Sequence, residues 1–146
     1  MVLDLIPQNE PDAFEIHDRN CILIVHSDQQ ELQRFGHSFS KQGFKVIQHT
    51  RGEFGLSACR DAHPDCVLAD VELLDMSGIE LCRSIVDCVT TCGIPVILTG
   101  KIGGREDIGR ARSAGCKFFL ATPHDPNVLL LLVNEAIAEA RSWIVD

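Results

Sequence analysis

The side chains in this sequence that could do chemistry sit at the ends of short apolar runs. His26, Ser27 and Asp28 follow ILIV, Asp70 closes CVLAD, Thr99 and Gly100 close VILTG, and Thr122 with Pro123 follows FFLA. A carboxylate, an imidazole and hydroxyls can exchange protons or ligate a cation. His26, Asp28, Asp70 and His124 supply the donor types of a transition-metal site but no ligand spacing, so no metal is assigned to them. Seven cysteines, an odd count without C-x-x-C, fall mostly in apolar segments and read as reduced core thiols. Cys88 and Cys92 form a C-x3-C pair open to metal or redox chemistry, yet no second pair or nearby histidine completes a zinc set. The stretch TGKIGG lacks the G-x-x-x-x-G-K-[ST] spacing of a phosphate loop and reads as a βα connection. No nucleophile–base pair, dinucleotide G-x-G-x-x-G or flavin-type loop is present, which argues against an enzyme.

The elements that must position these residues follow from hydrophobic patterning. From Cys21 onward, short apolar or β-branched runs alternate with segments of helical period five times, the pattern of βα units around a buried parallel sheet. Strands are expected at 21–25, 44–48, 66–69, 95–99 and 117–121, and helices at 28–41, 52–62, 78–88, 104–114 and 126–143. Asp28, Ser77 and Asp125 stand where N-caps belong, and Gly43, Gly93 and Gly115 where the chain turns after a helix. The fourth helix is the weakest, because Gly100, Gly103, Gly104 and Gly109 crowd it and each interior glycine costs about 1 kcal/mol relative to alanine. Right-handed crossovers bring all strand C-termini to one rim, where open α/β sheets bind ligands. His26, Ser27, Asp28, Asp70, Thr99, Gly100, Thr122 and Pro123 therefore share that rim.

Composition limits the partners. The 146 residues are 45% hydrophobic, enough for one domain with a continuous core, and the formal net charge is -8. Such a chain repels nucleic-acid phosphates and anionic lipid headgroups, and no basic patch overrides the total. The longest apolar runs, Val128 to Val133 and Ile94 to Leu98, are too short to cross a bilayer, and no signal-peptide pattern opens the chain. The expectation is a cytoplasmic protein with a loosely ordered N-terminal arm over 1–19 and one domain over 20–146.

ILIVHSDQ, DCVLADVELLDMSGIELC, IPVILTG and AGCKFFLATP resemble the successive landmarks of response-regulator receiver domains, over about residues 21 to 142. The most specific match is D-x-x-L-x-x-M-x-G from Asp70 to Gly78. The resemblance implies a flavodoxin-like, doubly wound, five-stranded parallel sheet of order 2-1-3-4-5 with five helices. It also implies a module of two-component (phosphorelay) signalling in which Asp70 stands at the phosphoacceptor position. Receivers surround that residue with two acids after the first strand, a Thr or Ser after the fourth, and a Lys before the Pro after the fifth. Here the acidic pair falls on His26 and Ser27, since sixteen residues from Ser27 reach Gly43, in agreement with the first helix of the family; a slip of one would bring in Asp28. The lysine maps to Thr122, with no neighbouring lysine to replace it. The switch hydroxyl is Thr99 by motif and Gly100 by counting from Pro95, while Phe119 matches the aromatic position of the fifth strand.

These substitutions point to a degenerate, pseudo-receiver type. Phosphoryl transfer to a carboxylate brings anions together, and the family neutralises them with Mg²⁺ and lysine. His26 and Ser27 supply no carboxylate for that hard cation. No cofactor is therefore expected, Mg²⁺ entering only in the alternative reading, in which Asp70 accepts phosphoryl from a sensor kinase and Thr99 switches. His26 should project toward Asp70, and contact with it would favour an imidazolium in place of the missing cation.

The last helix suggests where a partner binds. Leu129, Val133, Ala136, Ile137 and Ala140 recur on one face, leaving Leu130, Leu131 and Leu132, followed by Trp143, as surplus apolar surface. A protein partner or a second copy covering that face is expected, in keeping with the fourth-helix to fifth-helix face that mediates dimerisation in the family. The competing expectation is that Val2, Leu3, Leu5 and Ile6 of the arm fold over it.

Overall fold

The computed structural model describes residues 19–101 and 105–142. The elements are β1 (Cys21–Val25), α1 (Gln29–Lys41), β2 (Lys45–His49), α2 (Gly52–Ala62), β3 (Cys66–Asp70), α3 (Gly78–Asp87), β4 (Val96–Gly100), α4 (Arg105–Ser113), β5 (Phe118–Ala121) and α5 (Pro126–Ser142). The five strands are parallel in the order β2-β1-β3-β4-β5. The expected sheet order and helix number are thus present.

Alternation along the three central strands sorts their side chains onto two faces. Ile22, Ile24, Leu68 and Ile97 pack with Leu32, Phe35 and Phe39 of α1 and with Leu129, Val133, Ala136 and Ile137 of α5. Leu23, Val25, Val67, Ala69, Val96 and Leu98 pack with Cys59 of α2, Ile79, Leu81, Cys82 and Ile85 of α3, and Ala111 and Ala114 at α4. Because both faces are covered, β1, β3 and β4 read as continuous apolar runs, whereas edge strand β2 admits Lys45 and Gln48 to solvent.

Several strand ends lie one residue from the expected positions, for reasons in the backbone. Pro95 has no N–H for the ladder and contributes only its carbonyl, to Val67 N at 2.9 Å, so β4 begins at Val96. Phe44 belongs to the end of α1: its N–H reaches back to Phe39 O at 3.0 Å around Gly43, whose φ of 94° is one that glycine tolerates, and the strand starts at Lys45. Asp28 and Ser77 cap α1 and α3, the latter in a capping box with Glu80, and Asp125 accepts Asn127 N at 2.8 Å at the start of α5. Helix α2 has no side-chain cap of its own. Asp75, from the loop after β3, accepts Gly52 N at 2.7 Å and Glu53 N at 3.0 Å instead. Gly103, Gly104, residues 1–18 of the arm and Trp143 lie outside the described residues.

The surplus leucines of α5 are fewer than expected. Leu130 and Leu132 are half-buried against the α1/α5 core cluster, because a helix lying on a sheet buries the flanks of its inner face as well as the centre. Leu131 is 66% exposed and Val128 40%, so the outward apolar surface reduces to these two residues among those described.

The loop from β3 into α3 is closed on itself. Gly78 N donates to Val71 O at 2.8 Å, Leu73 N to Met76 O at 3.1 Å, and Glu72 pairs with Ser77 in an isolated bridge. A Cβ on Gly78 would stand 2.1 Å from Asp70 O, a backbone atom that cannot move aside without shifting β3. Gly78→Ala is expected to lower stability by roughly 2–4 kcal/mol, as for other overpacked core positions. A urea midpoint unchanged from wild type would show that the loop yields freely.

Candidate functional site

Strand register sets the site. Val25 pairs with Ala69 and Asp70 with Thr99, so the residue after β1 comes level with Asp70 and Thr99 in one row across the rim. His26 N donates to His49 O at 3.1 Å, continuing the β1 pairing one residue past the strand. His26 then shares a sheet face with Ile22 and Ile24, as Asp70 does with Leu68 and Thr99 with Ile97.

The expected meeting of His26 and Asp70 is present, with Nε2 3.5 Å from Oδ1. The Asp28 backbone N–H donates to His26 Nδ1 at 3.1 Å, so the loop after β1 fixes the orientation of the ring. The ring lies 6.1 Å from Phe35, which itself stacks on His124 at 6.1 Å.

Asp70 Oδ2 accepts the Glu72 N–H at 3.0 Å. Burial holds its carboxyl above the ordinary carboxylate value, against the opposing effects of that N–H, the His26 ring and the Thr99 hydroxyl. Thr99 is 1% exposed and keeps its hydroxyl inside the sheet beside Asp70. Gly100, at φ 150°, borders the same cleft: a Cβ there would stand 3.6 Å from Asp70 Oδ1 but 2.4 Å from Val71 Cγ2, so the Val71 methyl fills the space a side chain at 100 would need. Phe119 packs, half-buried, on the face of α2, α3 and α4.

Ser27 and Asp28 do not join Asp70. The Ser27 hydroxyl donates to Glu72 O at 3.3 Å, and the Asp28 carboxylate accepts Gln30 N at 2.9 Å as the cap of α1. Thr122 lies across a cleft of about 570 Å³ shared by His26, Asp70, Glu72, Gly100 and His124. Sequence reasoning missed four charged residues there, one of them Glu72 of the loop after β3. Glu31 and Arg34, paired at 2.7 Å, come from the exposed side of α1, and Lys101 follows β4 directly. Lys101 lines the cleft although it is remote from Thr122 in the sequence, because the sheet brings the exit of β4 beside that of β5.

The donor set does not fit the magnesium that receiver chemistry uses. An octahedral hard cation needs clustered oxygens, and beside Asp70 stand an imidazole, a hydroxyl spent on Glu72 O and a capping carboxylate turned away. Glu72 adds a carboxylate only at the exposed edge of the cleft. Among the described residues no three His, Cys, Asp or Glu side chains converge.

A five-stranded parallel sheet of this order, with a half-buried aspartate at the exit of its central strand, defines a receiver-type signalling domain. The family model of the response regulator receiver domain matches residues 22–134, and the chain belongs to that family, the receivers of two-component signalling. It is 28% identical over 102 residues to the polar-differentiation response regulator DivK of Brucella abortus, covering 70% of this chain and 83% of that protein. It is 27% identical over 117 residues to protein PilH of Pseudomonas aeruginosa, covering 80% and 97%. Its fold is shared by a CheY-like response regulator receiver domain protein from Methanospirillum hungatei (TM-score 0.80, 23% identity, 85% and 98% covered). The signal receiver domain of an HD domain-containing protein from Pseudomonas fluorescens is similar in the same way (TM-score 0.78, 24% identity, 85% and 90% covered). Among the described residues no helix is long and apolar enough to cross a membrane.

The raised carboxyl of Asp70 has a consequence for stability. A group that binds its proton more tightly folded than unfolded favours the folded state below its unfolded pKa, and that advantage is lost as pH rises through the folded value. At pH 7 the charged Asp70 is therefore a net cost. Asp70→Asn, which keeps an acceptor for the Glu72 N–H, is expected to melt higher by on the order of 1 kcal/mol at pH 7, the gain shrinking as pH falls below the carboxylate range. A variant melting lower at pH 7 would show that His26 and Thr99 outweigh burial.

Proposed function

We propose that this receiver domain acts by binding a protein partner and that its rim does not support magnesium-assisted phosphoryl transfer to Asp70. The observation that carries this reading is the His26 ring, whose Nε2 lies 3.5 Å from Asp70 Oδ1 in the place where a carboxylate would have to stand to share a cation. An imidazole there gives magnesium no oxygen, and Thr122 gives the transferred oxygens no charge. Each missing unit charge at about 4 Å is worth roughly 1 to 4 kcal/mol, from water to a near-surface dielectric.

A second reading keeps the chemistry, favoured by Lys101 at the cleft and by Thr99 beside the carboxylate. In it Asp70 takes phosphoryl from a sensor kinase with Mg²⁺. Treatment with acetyl phosphate and Mg²⁺, followed by intact-mass measurement, separates the two. The wild-type chain is expected to show no phosphoryl increment, and the combined variant His26→Asp, Ser27→Asp, Thr122→Lys to gain one. A wild-type increment that vanishes in Asp70→Asn establishes the second reading.

For the partner surface, Leu131 and Val128 on the outer side of α5 support a second copy of the chain. An aspartate at the centre of such a contact should weaken it by about 2 kcal/mol, roughly 30-fold. Leu131→Asp is therefore expected to convert a dimer to a monomer in light scattering at tens of micromolar. A wild-type chain already monomeric there would reject self-association. Deleting residues 1–19 should leave the dimer mass unchanged, whereas new self-association on deletion would show that the arm covers this face.

A further inference from the structure

The seven cysteines divide into two environments. Burial raises the thiols of Cys59, Cys66 and Cys82 to about 12, and those of Cys21 and Cys116 to a lesser degree. Cys88 and Cys92 instead lie on the turn between α3 and β4, at the opposite edge of the sheet from Asp70, and Cys92 is exposed. Cys88 and Cys92 depart from the reading as core thiols because they lie on the connection between α3 and β4, where Thr91 turns inward and Cys92 outward.

The turn is built around the first of these sulfurs. Thr91 N donates to Cys88 O at 3.1 Å, which closes residues 88–91 into a β-turn, and the buried Thr91 hydroxyl donates to Ile85 O at 2.7 Å, pinning the turn to the end of α3. The groups that favour a sulfur anion are on Thr90, whose hydroxyl lies 3.3 Å from Cys88 Sγ and whose backbone N–H acts with it, and then on Thr91. Arg60 of α2 adds a guanidinium donor. The carboxyl end of the α3 dipole opposes an anion here, yet these donors hold the Cys88 thiol down to about 7. Cys92 is the residue after the turn, and its Sγ leans back toward Val89 O at 3.5 Å, into the segment that Cys88 begins.

We propose that Cys88 and Cys92 form a redox-modifiable dithiol, in which a hydroperoxide oxidises Cys88 and Cys92 resolves the product as an intramolecular disulfide. The Cys88 thiolate attacks the terminal peroxide oxygen; an S–O bond forms, the O–O bond breaks, and the leaving alkoxide or hydroxide takes a proton from water. Sulfur has lost two electrons to the peroxide and is now a sulfenic acid. The Cys92 thiolate attacks that sulfur, the S–S bond forms, the S–O bond breaks, and hydroxide leaves to become water. Two thiols and one hydroperoxide thus give one disulfide, one alcohol (or water) and one water. The reaction touches no residue of the Asp70 cleft, so it stands independently of whether that cleft is phosphorylated.

The test uses the full chain, reduced and then treated with one equivalent of hydrogen peroxide at pH 7. Cleavage after Arg83 and Lys101 releases Cys88 and Cys92 in one peptide containing no other cysteine. That peptide is expected to lose two hydrogens, with the other five thiols intact. In Cys92→Ser, Cys88 should instead accumulate a sulfenic acid trapped by dimedone, and in Cys88→Ser the fast oxidation should disappear. Iodoacetamide should alkylate Cys88 at pH 7 about five-fold faster than an unactivated thiol, roughly 50-fold more thiolate being offset by about ten-fold lower nucleophilicity. Thr90→Val should slow that reaction at least two-fold. Equal labelling of Cys88 and the buried cysteines, or sulfinic acid at Cys88 with Cys92 left free in the wild-type chain, overturns the proposal.

Discussion

The level exit of three parallel strands is the constraint on which the site depends. Because Val25 pairs with Ala69 and Asp70 with Thr99, three side chains from distant parts of the sequence stand in a row at fixed spacing. Their chemistry is then decided by which side chain occupies each position. At the β1 exit an imidazole meets the carboxylate, and the Asp28 amide fixes which way its ring faces. A backbone group two residues away thus orients the ring that faces Asp70 across this corner of the site.

The rest of the fold keeps that row in place. The strands are anchored from both sides by apolar clusters that meet only through the sheet, so a shift of β3 would have to displace α1 and α5 together with α2 and α3. Polar groups finish the elements where burial cannot. Asp75 illustrates this: it leaves the loop after β3 to cap α2, tying the surroundings of Asp70 to a helix on the far side of the β1 exit.

The sheet order, the helix number and the rim residues could all be read from the sequence, because buried parallel strands announce themselves as short apolar runs and the caps of α1, α3 and α5 are local signals. The meeting of His26 with Asp70 was legible for the same reason, as it follows from counting to strand ends. Lys101 and Arg34 were not, since their approach to the cleft depends on neighbours fixed by topology rather than by chain distance. The bond from the Asp28 N–H to His26 Nδ1 was also hidden, since it rests on the direction of one N–H in a loop. For α5, periodicity identified the centre of the buried face but could not say how far burial extends to Leu130 and Leu132, which depends on how closely the helix lies on β5 and β4. The distinction between Cys88 and the core thiols escaped composition as well, because Cys88 differs from them only in what its turn places around it.

The closed loop between β3 and α3 gives Asp70 a mechanical setting. The amide that fixes its Oδ2 belongs to Glu72, Glu72 is bridged to Ser77, and Ser77 is the cap on which α3 starts. The carboxylate is therefore clamped to the head of a helix whose other end carries the Cys88 turn. Asp70 and the Cys88 turn thus stand at the two ends of one helix.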